Sequence, residues 1–252
     1  MNYFGKSDIG KSRTDNQDAF LSVALADGVA LFAVCDGVGG ASGGDVASML
    51  CCEVFCRSMS EQLSSHLPLK KAPIPESSVK FMMTHALRHA HEAICERARA
   101  DEELIDMSTT LVALLILGQT AYVLNVGDSR AYMISDDELL QITKDHSYVQ
   151  DLIDHGRLDP ALAATHQHRN IITRSVGYSA NATPDLYKIA LERKAPFFFL
   201  LCTDGLTGVL SDRDIYKVLV GFGSLRSKAD KLINMANAGG GGDNITVMLV
   251  TD

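Results

Sequence analysis

Four short apolar runs in this chain meet an aspartate with glycine beside it. Residues 29–35 (VALFAVC) end at Asp36-Gly37, and residues 121–126 (AYVLNV) end at Gly127-Asp128. Residues 197–202 (FFFLLC) run into Thr203-Asp204-Gly205, and Gly242-Asp243 precedes residues 245–250 (ITVMLV). The longest apolar runs, 111–117 and 195–202, have seven or eight residues, far short of the ~20 that cross a bilayer as a helix. Bounded by turn residues, they read as buried strands. A carboxylate at the end of such a strand is costly to desolvate unless a cation meets it. Glycine next to it lets a backbone carbonyl approach the same object. Turn chemistry explains any one of these positions alone. Four acids brought together repel one another and cannot all ionise without cations. All-oxygen ligation suits hard divalent ions such as magnesium or manganese, not zinc or copper.

A chain of 252 residues, 46% of them hydrophobic, can bury most of the surface it exposes when unfolded, as one large domain or two small ones. The net charge of −8 argues against nucleic acid, which needs a basic face. The six cysteines are Cys35, Cys51, Cys52, Cys56, Cys95 and Cys202. They form no CxxC pair and carry no zinc spacing. Residues 1–10 have no apolar core segment and so no signal-peptide pattern. The expectation is a soluble, cytoplasmic protein with reduced thiols and no membrane insertion.

Strands are expected at 2–10, 19–25, 29–35, 109–117, 121–126, 130–134, 138–142, 185–191, 197–202 and 245–250. Apolar residues at helical spacing predict helices over 46–63, 76–100, 212–220 and 224–238. Residues 101–107 are acidic and read as exposed. Residues 143–181 are polar and rich in histidine, and read as a flap laid on the core. Long helices do not alternate with strands, which excludes a doubly wound parallel sheet. Hairpin signals such as Asp27-Gly28 favour antiparallel pairing. One domain over 1–252, with a flap at about 143–181, is the simplest organisation.

Two nucleotide motifs fail on context. Residues 5–12 (GKSDIGKS) fit the literal P-loop pattern, but Arg13-Thr14-Asp15-Asn16 is a poor helix opening. In residues 37–44, Ser42 stands where the dinucleotide fingerprint needs its third glycine. His85 and His89 share a stripe with Glu92 and Glu96 that reads as a solvated helix face.

The chain resembles the metal-dependent Ser/Thr protein phosphatases of type 2C, the PPM family, in their bacterial form. The residues that carry this are SDIGKSRTDNQDAF (7–20), AVCDGVGG (33–40), TTLVALLI (109–116), NVGDSRAY (125–132), TKDHSYVQDLIDHG (143–156), HRNIITRSVG (168–177), LLCTDGLTGVLSD (200–212) and GGDNITVMLV (241–250). They stand in the family's order over nearly the whole chain. The resemblance implies an α+β fold: a four-layer α/β/β/α sandwich of two antiparallel sheets flanked by helix pairs. It implies metal-dependent hydrolysis of phosphoserine and phosphothreonine on proteins, by a metal-activated water, in opposition to a Ser/Thr kinase. Two ions, Mn2+ or Mg2+, are implied, with a third in bacterial members. Asp36 would bridge two ions and the Gly37 carbonyl would add a ligand. Asp204 and Asp243 would hold the second ion, and Asp128 with Asp204 the third. Arg13 would bind the substrate phosphate and Asp18 would orient the attacking water. The expected state is a monomer acting on phosphoproteins.

Two positions depart from the family's pattern. Gln17 stands where glutamate is frequent, which removes a charge beside the ions. Val38 replaces the histidine that eukaryotic members carry as general acid. The same fold could serve instead as a pseudophosphatase scaffold that binds phosphoproteins, or as a phosphatase dedicated to one regulator. Retention of all four aspartates weighs against the scaffold.

Overall fold

The structure is a computed structural model describing residues 1–38, 43–67, 74–177, 182–192 and 196–252. Most of the glycine-rich turn after Asp36, with Ser42, lies outside the described residues. So do most of the expected 66–75 loop and the far end of the expected flap.

Eleven strands form two antiparallel sheets among these residues. One sheet contains β1 (Asn2–Asp8), β11 (Ile245–Thr251), β10 (Phe198–Cys202), β7 (Arg130–Ser135) and β8 (Glu138–Gln141), in that order. The other runs β2 (Asp18–Ala26), β3 (Val29–Val38), β5 (Leu111–Leu117), β6 (Thr120–Val126) and β9 (Asp185–Ala190). The two-residue strand β4 (Ser108–Thr109) pairs with the end of β3. Helices α1 (Gly44–Ser64) and α2 (Glu76–Arg99) cover the second sheet. Helices α5 (Asp212–Val220) and α6 (Leu225–Ala238) cover the first. Between them in sequence lie α3 (Tyr148–Asp154) and the short α4 (Asp204–Thr207). The four-layer architecture expected from the resemblance is the one observed.

Side-chain alternation explains the layers. In β3, Leu31, Ala33 and Cys35 pack on α1 and α2, while Ala30, Phe32 and Val34 face the opposing sheet. In β10, Leu200 and Cys202 face α5 and α6, while Phe199 and Leu201 point inward. Every core strand is therefore buried on both faces, as the continuous apolar runs predicted. Among the described residues no helix is long and apolar enough to cross a membrane.

Several local expectations need adjusting. β3 does not stop at Cys35. It continues through Asp36 to Val38, because Gly37 and Val38 still find partners in Thr109 and Ser108. The expected 109–117 strand breaks at Thr110, whose N–H donates to the Asp36 carbonyl at 2.9 Å. The acidic 101–107 segment is not uniformly exposed: a 3₁₀ turn (Glu102–Leu104) buries Leu104, and Met107 is buried too. Residues 5–12 run from β1 into a turn with no helix behind them, so the P-loop pattern has no P-loop structure.

Candidate metal centre

The inward-facing layer of the sandwich is apolar along its length and turns polar at one end. Parity alone dictates this. Phe20, Val34, Val112, Ala131 and Met248 belong to the inter-sheet core. Two residues away lie Asp18, Asp36 and Thr246 on their strands, and Thr110 and Ser129 just before the starts of β5 and β7. Asp18 and Asp36 are direct cross-strand partners, a like-charge pairing that costs stability in an ordinary sheet. Asp204 enters as the first residue of α4, straight after β10. Asp243 immediately precedes Asn244 and β11, and Asp128 follows Gly127 in the β6–β7 turn.

Hydroxyls and amides fix these acids in place. The Asp36 N–H donates to Thr110 Oγ1 at 2.9 Å, and Thr109 Oγ1 donates to the Asp36 carbonyl at 2.8 Å. Thr110 Oγ1 and Ser129 Oγ lie 2.7 Å apart. Asp18 Oδ2 accepts from Thr203 Oγ1 at 2.9 Å and from Thr246 Oγ1 at 2.7 Å. Its other oxygen, Oδ1, is buried with no protein partner. Gly37 is required sterically, since a Cβ there would collide with the backbone of Gly44.

The electrostatics are those of an anion cluster short of positive charge. Burial, then the charges of Asp18, Asp204, Asp128 and Asp243, hold the Asp36 carboxyl well above the ordinary carboxylate range. Burial pushes Asp18 up to about 7 in spite of its two threonine hydrogen bonds. Burial and then the charges of Asp204 and Asp145 push Asp128 up to about 8. Asp204 is raised by burial and by Asp243, and is partly relieved by a hydrogen bond with Asp36. Four acids that prefer to be neutral in one place are what a cation site looks like without its cation.

Arg13 brings the nearest compensating charge. Its guanidinium grips Asp243 in a fork, Nε to Oδ1 at 2.9 Å and Nη2 to Oδ2 at 2.9 Å. That contact raises the Arg13 pKa further. The loop that carries it is pinned by Asn244, whose Nδ2 donates to the carbonyls of Ile9 and Asp15 and whose Oδ1 accepts from the Gln17 N–H. Arg13 remains half-exposed at the mouth of a cleft of about 270 Å³, lined by Gln17, Asp36, Gly37, Val38, Asp128, Asp204, Asp243 and Asn244 and, from the expected flap, by Asn170 and Ile172. A second cleft of about 390 Å³ shares Asp128, Asn170 and Asp204 with it and continues between α3 and α5.

Of the site residues expected from sequence, Arg13, Asp36, Gly37, Asp128, Asp204 and Asp243 line one cleft. Asp18 pairs with Asp36 without forming part of its wall. Among the described residues no three His, Cys, Asp or Glu side chains make a ready-made metal cage. Magnesium-like ions keep several waters and take one or two carboxylates each. The unpartnered Asp18 Oδ1 and the raised carboxyl pKa values fit such ions. Sequence reasoning assigned no part to Thr110, Thr203, Thr246, Asn244, Asn170 or Ile172. All but Ile172 are small polar residues inside the quoted motifs, and their type alone does not separate a strand former from a ligand holder.

The family description that matches residues 5–240 is "Protein phosphatase 2C". The chain belongs to the protein phosphatase 2C family. Serine/threonine protein phosphatase PstP of Mycobacterium tuberculosis is 34% identical over 250 residues, covering 99% of this chain and 44% of PstP. This chain therefore spans under half the length of that relative. Serine/threonine phosphatase stp of Listeria innocua is 31% identical over 245 residues, covering 97% of this chain and 93% of the relative. The crystal structure of the PstP catalytic domain in complex with two manganese ions superposes with a TM-score of 0.81 at 33% identity, covering 100% of this chain and 97% of that one.

Proposed function

We propose that this chain hydrolyses phosphoserine and phosphothreonine monoesters on proteins in a reaction dependent on Mn2+ or Mg2+. The observation that carries the reading is the convergence of Asp36, Asp128 and Asp204, all with raised pKa values, on one cleft with an arginine at its mouth, with Asp18 paired to Asp36 behind the wall. Asp36 and the Gly37 carbonyl, with Asp204 and Asp243, would hold two ions, and Asp128 with Asp204 a third. The PstP catalytic domain with its two manganese ions supports the first two of these. When bound, such ions supply a low-pKa water and offset charge on the phosphoryl oxygens.

The chain's own groups do the rest. Arg13 offers a planar fork that matches two phosphoryl oxygens, which a lysine cannot do. Its reach to Asp243 shows that the guanidinium arrives at the cleft. Asp18 is clamped through Oδ2 beside Asp36, and its unpartnered Oδ1 is the atom we assign to orienting the attacking water. Val38 holds no proton to give, so the leaving oxygen of the substrate takes its proton from another group. Gln17 accepts hydrogen bonds but adds no charge. The cysteines take no part: Cys35 and Cys202 are buried in strands away from the cleft.

The setting we infer is a single catalytic unit over 1–252 with a flap at about 143–181, acting as a cytoplasmic monomer against the products of a Ser/Thr kinase. A scaffold that only bound phosphoproteins would have no use for uncompensated carboxylates, which cost stability. The test is release of phosphate from a phosphothreonine peptide with Mn2+, with and without chelator. Turnover should require the metal. Equal turnover with chelator in excess would defeat the reading.

A further inference from the structure

His146 lies between β8 and α3 and is 5% exposed. It sits outside the cleft wall, yet three of its atoms hold elements that form the wall. Its Nδ1 accepts from the N–H of Gly127 at 3.1 Å, and its own N–H donates to the Gly127 carbonyl at 3.0 Å. A backbone N–H can meet only a lone pair, so Nδ1 is the acceptor and the ring hydrogen resides on Nε2. Nε2 lies 3.2 Å from Asp185 Oδ2, which accepts that hydrogen, and 3.1 Å from Arg174 Nη1, a donor that Asp185 Oδ1 takes up. Arg174 Nη1 donates to Asp185 Oδ1 at 3.1 Å, holding the acceptor in place. On the other side, the His146 carbonyl accepts from the Thr173 N–H at 2.8 Å. Ser147 then bridges Ile172, and the Tyr148 N–H donates to the Ile171 carbonyl at 2.8 Å.

One residue therefore ties two parts of the cleft together. Gly127 is bound on both its N–H and its carbonyl, and it has φ +109, a conformation glycine reaches freely and most other residues do not. The next residue is Asp128. The backbone that His146 and its neighbours secure on the other side carries Asn170 and Ile172 to the same cleft. We propose that His146 is a positioning residue: as the neutral, Nδ1-accepting tautomer set by Asp185, it fixes the Gly127-Asp128 turn and anchors segment 170–173 across the cleft. This rests on the reading of Asp128 as a cation ligand. The arrangement follows a general rule, that groups orienting a ligand are worth about 10–100-fold in metal affinity or activity.

Two isosteric variants separate the two ends of the ring. Asparagine places an oxygen close to the Nδ1 position, and glutamine places its polar end close to Nε2. The full chain should be assayed as wild type, His146→Asn, His146→Gln, Asp185→Asn and Asp128→Asn. Mn2+ binding is read by calorimetry, and KM and kcat on a phosphothreonine peptide as Mn2+ is varied. His146→Gln should weaken Mn2+ binding at the Asp128 site about tenfold and raise the Mn2+ concentration for half-maximal kcat, with KM little changed. His146→Asn should recover most of that loss. Asp185→Asn, which leaves the ring in place but loosens its tautomer, should shift Mn2+ dependence in the same direction and keeps the test open if His146→Gln fails to fold. Equal behaviour of the Asn and Gln variants overturns the inference, as does an unshifted Mn2+ dependence in His146→Gln and Asp185→Asn, provided Asp128→Asn itself alters Mn2+ binding. If Asp128→Asn leaves Mn2+ binding unchanged, the ligand reading of Asp128 falls first and the inference with it.

Discussion

Asp145 and Asp36 are both acids held near the same end of the sandwich, and the protein treats them in opposite ways. Asp145 is 13% exposed and fully answered. Arg130 donates to it from Nε at 2.9 Å and from Nη2 at 2.7 Å, and Gln141 adds a third donor at 3.1 Å. The remaining arm of Arg130 reaches Tyr132, which in turn donates to Asp212. Burial works against the guanidinium, but the Asp145 contacts outweigh it and raise the Arg130 pKa. Asp36 has no such partner. Its neighbours are other carboxylates, and its protonated form is favoured. The lesson is that a satisfied buried pair is a structural device, while an unsatisfied group of acids is a site kept ready for something that comes from outside.

The sharpest way to break this contrast is to remove the same charge from each place. Asp36→Asn should cut phosphopeptide turnover by on the order of 10³-fold, the scale of losing a main electrostatic stabiliser. The stability of the metal-free chain should stay level or rise, because a repulsion is removed. Asp145→Asn leaves Arg130, 26% exposed, without its counter-ion and should cost about 1–3 kcal/mol of stability, with the surviving folded protein still active. Thermal melts and initial rates on both variants check the pair. Swapped outcomes would erase the distinction.

Arg13 tests the border between the two regimes, since it is the cation nearest the acid cluster. Arg13→Ala should raise KM by roughly 10–100-fold, the range for a lost hydrogen-bonded charge contact of about 1.5–3 kcal/mol. Mn2+ affinity should be unchanged or tighter, because Asp243 loses its competing partner. Weaker Mn2+ binding in this variant would mean that Arg13 supports the ions and not the phosphate.

The pH response distinguishes the cluster as well. Asp18 and Asp128 have folded-state pKa values raised to about 7 and about 8, above the ordinary value of about 3.9. Through that window the metal-free native state holds protons that the unfolded chain has released. Its stability must then fall as pH rises. Melting in chelator should drop by roughly 5 °C or more between pH 5 and pH 8, and excess Mn2+ should remove the drop. A melting temperature that rises with pH in chelator would contradict the account. The smallest effect expected is from Gln17→Glu. A new carboxylate on the cleft wall should tighten Mn2+ binding by about 3–10-fold, on the scale of one charge pair at high effective dielectric.

The contrast between Asp36 and Asp145 also marks what was legible in the sequence. Asp36, Asp128, Asp204 and Asp243 announce themselves because each abuts an apolar run; strand parity turns Asp36 into the inter-sheet layer, and the strand ends bring the other three to the same end. Asp145 announces nothing: its partner Arg130 is 15 residues away, and a lone Asp-His after a lysine has no local signature of burial. The same is true of Thr203 and Thr246, which look like ordinary strand residues until their hydroxyls are found on Asp18. The end of β3 was misjudged because Gly37 reads as a chain breaker, whereas here it is the residue small enough to pass the Gly44 backbone. Helix α4 was missed because four residues of turn-forming composition give no periodicity. Arg13 is expected from the resemblance to bind the substrate phosphate, and its fork on Asp243 is a contact 230 residues apart that no local pattern encodes.

The most direct test of the central claim, that the unanswered acids hold divalent ions, is calorimetric titration of Mn2+ into chelator-stripped protein, comparing wild type, Asp36→Asn and Asp145→Asn. The account predicts two or more bound ions for wild type and for folded Asp145→Asn, and loss of the tight binding in Asp36→Asn. Equal binding by Asp36→Asn and wild type would contradict it.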